Sequence, residues 1–145
     1  MRGYTHLSAG LFIGLLFAKA FPQNTITIII LALLGAALPD IDHSYSLIGK
    51  HFKFIGKLFK HRGIIHSLLA LIFFSAIVFL IFQNATHMIV FAVAYFSHLV
   101  LDMLDGTIIL FLPVQLKYGK KNKLSGLLNF GLFIVFILLS LWIIL

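Results

Sequence analysis

The fourth apolar segment of the chain carries a histidine and an aspartate at a spacing suited to binding a metal ion. His98 and Asp102 are four residues apart, so in a helix they lie on one face. From that face an imidazole nitrogen and a carboxylate oxygen can both bind one ion. The same spacing also suits a buried hydrogen bond between neighbouring turns, and the pair by itself leaves both alternatives open.

A second group of possible ligands follows Pro39. Asp40, Asp42 and His43 offer carboxylate oxygens and an imidazole within a short stretch, and such a donor set suits a divalent metal. Because proline stops or kinks a helix, these residues are expected at the carboxyl end of a helix. Acidic residues are unfavourable at that end of the helix macrodipole, which favours a bound cation over an ordinary exposed acidic turn.

Further candidates come from the middle and the beginning of the chain. His61 and His66 converge if His61 belongs to a loop and a helix begins near Gly63. Arg62 suits a bidentate contact to phosphate, although it also fits a basic loop facing lipid headgroups. His6 is a weak candidate when it is considered by itself.

The composition places these residues in a membrane protein. Of the 145 residues, 61% are hydrophobic and only 10% are charged, whereas soluble domains have about 25% charged residues. Five apolar segments approach the roughly 17–25 residues of a transmembrane helix. They cover residues 5–20, 25–38, 63–82, 88–104 and 127–145. We therefore predict an all-α membrane bundle of about five transmembrane or membrane-embedded helices, in one domain over residues 1–145.

The basic residues predict how this bundle is oriented. Of the eleven Lys and Arg residues, all but Lys19 lie at the amino terminus or in the loops after the second and fourth segments. The positive-inside rule places these loops and the amino terminus in the cytoplasm. The candidate ligands then lie at the cytoplasmic ends of four helices, at one membrane depth. His87 lies at the opposite side and His51 in a basic loop, so neither is expected in the cluster.

The ordered set of motifs resembles the LexA-regulated, membrane-bound metal-dependent hydrolases of the YdjM-like family. The motifs are Thr5-His6, Leu38-Pro39-Asp40-Ile41-Asp42-His43, His61-Arg62-Gly63, His66-Ser67, Ser97-His98 with Asp102, and Leu112-Pro113. That family is similar to the zinc-dependent phospholipase C and nuclease superfamily. The resemblance implies a helical fold with clustered His and Asp metal ligands that acts on phosphoesters. The chain departs from the family pattern at Ile65 and at Asp105, and Asp105 is a further candidate ligand or hydrogen-bond acceptor.

The expected function is that of a metal-dependent hydrolase, a phosphoesterase acting on phospholipid or lipid-linked phosphate at the cytoplasmic headgroup level. One or two divalent ions are expected, with Zn²⁺ preferred over Mn²⁺ or Fe²⁺ because the donors are His and Asp and the chain has no cysteine. The predicted metal ligands are His6, Asp40, Asp42, His61, His66, His98 and Asp102. Asp42 is alternatively a general base, His43 supports the ligands or carries a proton, and Arg62 contacts the phosphate.

Two other functions are compatible with the sequence. A metal-ion transporter also places His and Asp in membrane helices, but it needs polar residues through the full membrane depth, and the outer halves of these segments are nearly all apolar. A structural membrane protein with a stabilising metal needs no open metal position. The expected location is the cell membrane of a bacterium or archaeon, with lipid as partner and no nucleic acid. The sequence leaves the oligomeric state open.

Overall fold

Within the residues that the structure describes, the protein is a bundle of α-helices. The computed structural model describes residues 2–43, 46, 49–51, 54, 63–106, 108–111, 116–118 and 125–145. Within these ranges the long helices are α1 (Gly3–Ala20), α2 (Thr25–Ala37), α3 (Leu68–Phe82), α4 (Ala85–Asp105) and α5 (Ser125–Ile144). Short 3₁₀ turns cover Pro22–Asn24, Leu38–Asp42, Gly49–His51 and Ile64–His66.

The helices coincide with the apolar segments, and the prediction of a helical membrane bundle is confirmed. Three helical segments are long and apolar enough to cross a membrane, namely Pro22–Asp42, Ala85–Asp105 and Gly126–Ile144. Helix α3 is equally apolar but shorter. A short antiparallel pair, β1 (Ile108–Phe111) and β2 (Leu116–Tyr118), follows α4. It lies in the stretch for which the sequence predicted no element.

The third helix begins later than the sequence predicted. The apolar segment starts at residue 63, but the structure has a 3₁₀ turn over Ile64–His66 and begins α3 at Leu68. Ser67 between them has extended backbone angles, and its hydroxyl accepts a hydrogen bond from the backbone N–H of Ala70. Serine is a favoured N-cap because it satisfies a free N–H of the first helical turn. His66 therefore lies in a separate turn before α3.

Helix α4 is the centre of the bundle and packs against α1, α2 and α3. Its buried residues recur every three or four positions, as expected for one face of a helix. Two apolar clusters pack on this face. The first contains Leu31, Ala70, Val78, Phe91, Tyr95 and Leu99, and the second contains Ala18, Ile28, Ala32, Ala36, Val90 and Ala94.

Helices α1, α2 and α4 approach one another closely at small residues. A Cβ atom at Gly35 in α2 would lie 2.5 Å from the carbonyl oxygen of Phe91 in α4. A Cβ atom at Gly10 in α1 would lie 2.6 Å from the Cβ of Ala36 in α2. Small residues at such crossings allow helix backbones to pack in direct contact within a membrane. This contact brings the carboxyl ends of α2 and α4 together.

Helix α5 is joined to α1 by a polar contact near the amino terminus. Asn129 is buried, and its Oδ1 accepts a hydrogen bond of 2.9 Å from the backbone N–H of Arg2. The hydroxyl of Thr5 also donates to the carbonyl oxygen of Asn129, at 3.2 Å. Most large apolar side chains of α5 are exposed, as expected for a helix that faces lipid. Asn129 therefore anchors α5 beside the start of α1.

Replacing Gly35 by Ala should destabilise the bundle, because the added methyl group would meet the backbone of α4. Overpacking of this kind costs about 1–3 kcal/mol, and the midpoint of thermal unfolding in detergent should fall. Gly131→Ala is the matched control, because nothing lies within 4 Å of a Cβ atom at Gly131 in α5. Both variants gain the same helix propensity, so equal midpoints would contradict the close α2–α4 contact.

Candidate metal centre

The amino ends of α1 and α3 and the carboxyl ends of α2 and α4 meet at one end of the bundle. These ends carry His6, Asp40, Asp42, His66, His98 and Asp102. All of them except Asp40 are at most 2% exposed, and the Asp40 side chain is 15% exposed. The structure thus brings together six of the residues predicted from sequence, from four separate parts of the chain.

The carboxylate of Asp102 is the centre of this cluster. Its Oδ1 lies 3.3 Å from Nε2 of His6. Its Oδ2 lies 3.4 Å from Nε2 of His66 and 4.0 Å from Nε2 of His98. One side chain therefore joins α1, the turn before α3, and α4.

The ring of His98 is oriented by α2. Its Nδ1–H donates a hydrogen bond of 2.7 Å to the carbonyl oxygen of Ala36, in the last turn of α2, where carbonyls lack a helical partner. This bond leaves the lone pair on Nε2, which lies 3.8 Å from Oδ1 of Asp40 and has no hydrogen-bond partner. A buried, unpartnered nitrogen that faces carboxylates fits the environment of a bound cation.

The ring of His66 is held by the turn that follows α2. Nδ1 of His66 lies 3.2 Å from Oδ2 of Asp42, and the carboxylate accepts a hydrogen bond from Nδ1–H. The opposite nitrogen then faces Asp102. Carboxylates that orient a histidine in this way are common around metal ligands. His66 lies in the 3₁₀ turn that precedes α3.

Tyr95 fixes the backbone of the turn that carries His66. It is fully buried in α4, and its hydroxyl donates a hydrogen bond to the carbonyl oxygen of Ile65. Tyr95 precedes His98 by three residues, so both lie on the same face of α4. This face of α4 therefore carries the candidate ligand His98 and also Tyr95, which supports the turn of the candidate ligand His66.

The rings of His6 and His98 lie face to face on the other side of the cluster. Their centroids are 3.7 Å apart and their planes differ by 14°. A cavity of about 10 Å³ lies against His6 and Asp40, about the room that a single water molecule needs. Because Asp40 is also the most exposed member, this side of the cluster is the one nearest to solution.

Two overlapping groups of side chains could hold a metal ion. His6, Asp40 and His98 form one group, and His66, His98 and Asp102 form the other; within each group the ligand atoms lie within 4.8 Å of one another. Both groups use His98, whose Nδ1 is bonded to a carbonyl, so its Nε2 can bind only one ion. The two groups are therefore parts of a single centre. In this centre Oδ1 of Asp102 faces His6 and Oδ2 faces His66.

Several predicted site residues are either not described by the structure or not members of the two ligand groups. His61 and Arg62 are outside the described residues, and their roles stay predictions. His43 is half-buried, and among the described residues neither group of ligand atoms includes His43 or Asp42. The half-buried Asp105 lies at the end of α4 and is likewise in neither group.

The two histidines that the sequence excluded differ from the clustered ones in exposure or in position along α4. His51 is exposed in the turn after Gly49. His87 lies in the first turn of α4, with its ring 5.2 Å from that of Phe82. It is separated from His98 by about 16 Å along the helix, at 1.5 Å per residue. Neither histidine is a member of the two ligand groups found among the described residues.

Sequence reasoning missed the residues that support the cluster. Tyr95 is a polar residue on the ligand face of α4, and Asn129 is a lone amide in an apolar helix. In a membrane helix a buried hydrogen-bonding group needs a partner inside the protein. That signal was present at both positions, although it did not reveal which partners they would find.

Comparison with known proteins identifies the family. A profile described as the YdjM inner membrane protein matches residues 1–144. The chain belongs to the YdjM inner membrane protein family. This assignment confirms the resemblance to the YdjM-like family and the membrane location, while LexA regulation and metal-dependent hydrolysis stay predictions.

Two relatives illustrate the range of similarity. The uncharacterized protein YvsG of Bacillus subtilis (strain 168) is 29% identical over 145 residues, with 88% of this chain and 89% of that protein aligned. The inner membrane protein YdjM of Escherichia coli (strain K12) is 39% identical over 82 residues, which cover 50% of this chain and 42% of that protein. The match to the YdjM protein thus covers less than half of its length. No solved structure matches the chain.

Asp42→Asn should weaken the binding of a divalent metal by about 10–100-fold, the usual effect of removing a group that orients a metal ligand. The change removes the carboxylate charge beside Nδ1 of His66 but leaves the atoms of both ligand groups in place. Competition with a chromogenic chelator for Zn²⁺ measures the affinity. The control is His51→Ala, at an exposed position, which should bind as the parent does. An unchanged affinity in Asp42→Asn would contradict the positioning role.

Proposed function

We propose that this protein is a membrane-embedded metal-dependent hydrolase, a phosphoesterase that acts on phospholipid or lipid-linked phosphate at the cytoplasmic headgroup level. The observation that carries the proposal is the convergence of two imidazoles and two carboxylates, those of His6, His66, Asp40 and Asp102, around the unpartnered Nε2 of His98. A charged Asp at the centre of a membrane helix costs about 2.5–3.5 kcal/mol on insertion scales. A bound cation offsets this cost, and a cluster of this kind marks a functional site in a membrane protein.

The chemistry of the donors favours Zn²⁺, with Mn²⁺ or Fe²⁺ next, because the described ligands are imidazoles and carboxylates. A divalent metal bound there would supply an activated water and a positive charge for the phosphoryl oxygens. The described residues that would hold one or two such ions are His6, Asp40, His66, His98 and Asp102, and both ligand groups share His98. The cavity beside Asp40 supports a catalytic centre, because structural zinc sites have no open position.

The protein's own side chains divide the remaining tasks. Asp42 orients His66, and the carbonyl of Ala36 orients His98, so that the Nε2 atoms of both rings face Asp102. Asp40 is the partly exposed carboxylate beside the cavity. In this geometry Asp40 is better placed than Asp42 to accept a proton from a water molecule that enters the cavity. Arg62 stays the residue proposed to bind the phosphate.

The proposed substrate and orientation rest on charge and on family resemblance. Arg2 and Lys50 are exposed and lie within a few residues, along the sequence, of the cluster members His6 and Asp42. Lys19 lies at the carboxyl end of α1, whereas His6 lies at its amino end. Basic residues near a cytoplasmic surface attract anionic lipid by about 1 kcal/mol each. The motifs' resemblance to LexA-regulated metal-dependent hydrolases, and through them to zinc-dependent phospholipase C, adds support for a phosphoester substrate.

A metal-ion transporter fits these observations less well. Such a protein needs polar groups along the whole path across the membrane. On α4, the buried positions between His98 and His87 include Val90, Phe91 and Ala94. These side chains present hydrocarbon where a path for ions would need ligands.

The purified protein should retain transition metal, and His98→Ala and Asp102→Ala should lose it, because each change removes a member of the ligand groups. Elemental mass spectrometry gives the metal content per chain. His87→Ala is the matched control, since it removes a buried histidine at the other end of the same helix and should leave the content unchanged. A parent protein that binds no metal, even after Zn²⁺ or Mn²⁺ is added, would contradict the proposal.

The metal-loaded protein in lipid nanodiscs should release a phosphate-containing headgroup from phospholipid or from lipid-linked phosphate, as followed by phosphorus NMR. Asp102→Ala should lower the rate by roughly 100-fold or more, because a catalytic metal contributes several kcal/mol to the transition state. His87→Ala should retain the parent rate. Tight metal binding without hydrolysis of either substrate class would contradict the proposed phosphoesterase activity and favour a structural role for the metal.

A further inference from the structure

A large apolar groove lies next to the candidate metal centre. It has a volume of about 690 Å³ and is lined by apolar side chains of α3 and of the turns on either side of the cluster. Its members include Leu38, Ile41, Ile65, Leu69, Ile72 and Phe73. The volume is within the roughly 300–1,000 Å³ that small-molecule sites occupy. The groove is thus large enough for a ligand, and its described lining residues offer hydrocarbon contacts.

The groove and the cluster share parts of the backbone. Ile41 lies between Asp40 and Asp42, and Ile65 directly precedes His66. The carbonyl of Ile65 also accepts the hydrogen bond from Tyr95. A molecule in the groove therefore lies beside the turns that carry three of the clustered side chains.

The outer wall of the groove belongs to a surface that faces lipid. Leu69, Ile72 and Phe73 on α3 line the groove, and each is more than half exposed. Helix α3 has no charged residue along its length, so its exposed side is suited to the bilayer interior. The groove is thus continuous with the surface that membrane lipids contact. The described residues of its lining are all apolar, as suits a hydrocarbon ligand.

We propose that this groove takes one acyl chain of a membrane phospholipid and so directs its headgroup toward the His/Asp cluster. The step from chain binding to headgroup placement rests on the proposed function. Lipid chains are as apolar as the groove, so moving a chain from bilayer to groove gains little free energy. The groove therefore contributes position more than affinity, as substrate-orienting contacts in enzymes do.

A photoreactive lipid tests this proposal in the intact protein. The probe is a phosphatidylglycerol with a diazirine in one acyl chain, mixed into vesicles that contain the purified protein. After irradiation, mass spectrometry should find labelled peptides that contain Ile41 and Ile65, in the inner wall, besides the general labelling of lipid-facing helices. The variant Ile72→Trp fills the groove from α3 and should lower the inner-wall labelling severalfold.

The matched control is Leu80→Trp, a similarly exposed position on α3 that does not line the groove. It should keep the parent labelling pattern, and both variants should keep the parent midpoint of thermal unfolding in detergent, which shows that the fold is intact. Inner-wall peptides that stay unlabelled, or whose labelling does not respond to Ile72→Trp, would overturn the proposal. That result is also expected if another part of this chain or a second copy fills the groove.

The labelling experiment requires neither bound metal nor turnover, so its outcome is separate from that of the hydrolase assay. Labelling as expected without hydrolysis would show that the groove binds a lipid chain and that the protein is not a phosphoesterase. Hydrolysis without inner-wall labelling would support the phosphoesterase activity and would show that the groove is not part of its substrate site.

Discussion

The burial of the Asp102 carboxylate is the constraint on which the rest of the structure depends. A carboxylate is costly in the interior of a membrane protein unless it is paired or bound to a cation. Here it lies within 4.0 Å of imidazoles from three parts of the chain. The positions of α1, of the turn before α3 and of α4 are therefore coupled, because moving any of them would remove a partner from a buried charge.

That coupling requires helices that approach closely. The hydrogen bond from His98 to the carbonyl of Ala36 crosses the contact between α4 and α2. Gly35 allows the contact one residue earlier, where a side chain would meet the backbone of α4. The small residues in the helix interface thus support the polar residues at the helix ends. The close contact at Gly35 keeps α2 near enough to α4 for His98 to form its hydrogen bond with Ala36.

The sequence predicted the helices and the membership of the cluster better than it predicted the contacts. Long apolar segments and the alternation of basic loops were enough to place His6, His66 and His98 at one end of the bundle. They could not show that Asp42 contacts the far side of His66 or that Tyr95 supports the preceding carbonyl, because such pairings depend on side-chain positions across helices. The later start of α3 followed from Ser67, whose capping role was overlooked within an apolar segment.

Helix α3 is also short, and this has a consequence for the surrounding bilayer. Its 15 residues rise about 22 Å at 1.5 Å per residue, whereas the hydrocarbon layer is about 30 Å thick. Such a hydrophobic mismatch is accommodated by local thinning of the bilayer or by polar groups that reach outward from the helix ends. Where the bilayer accommodates α3 by thinning, nearby headgroups lie closer to the depth of His66. One short helix would in this way reduce the distance between lipid phosphate and the buried cluster.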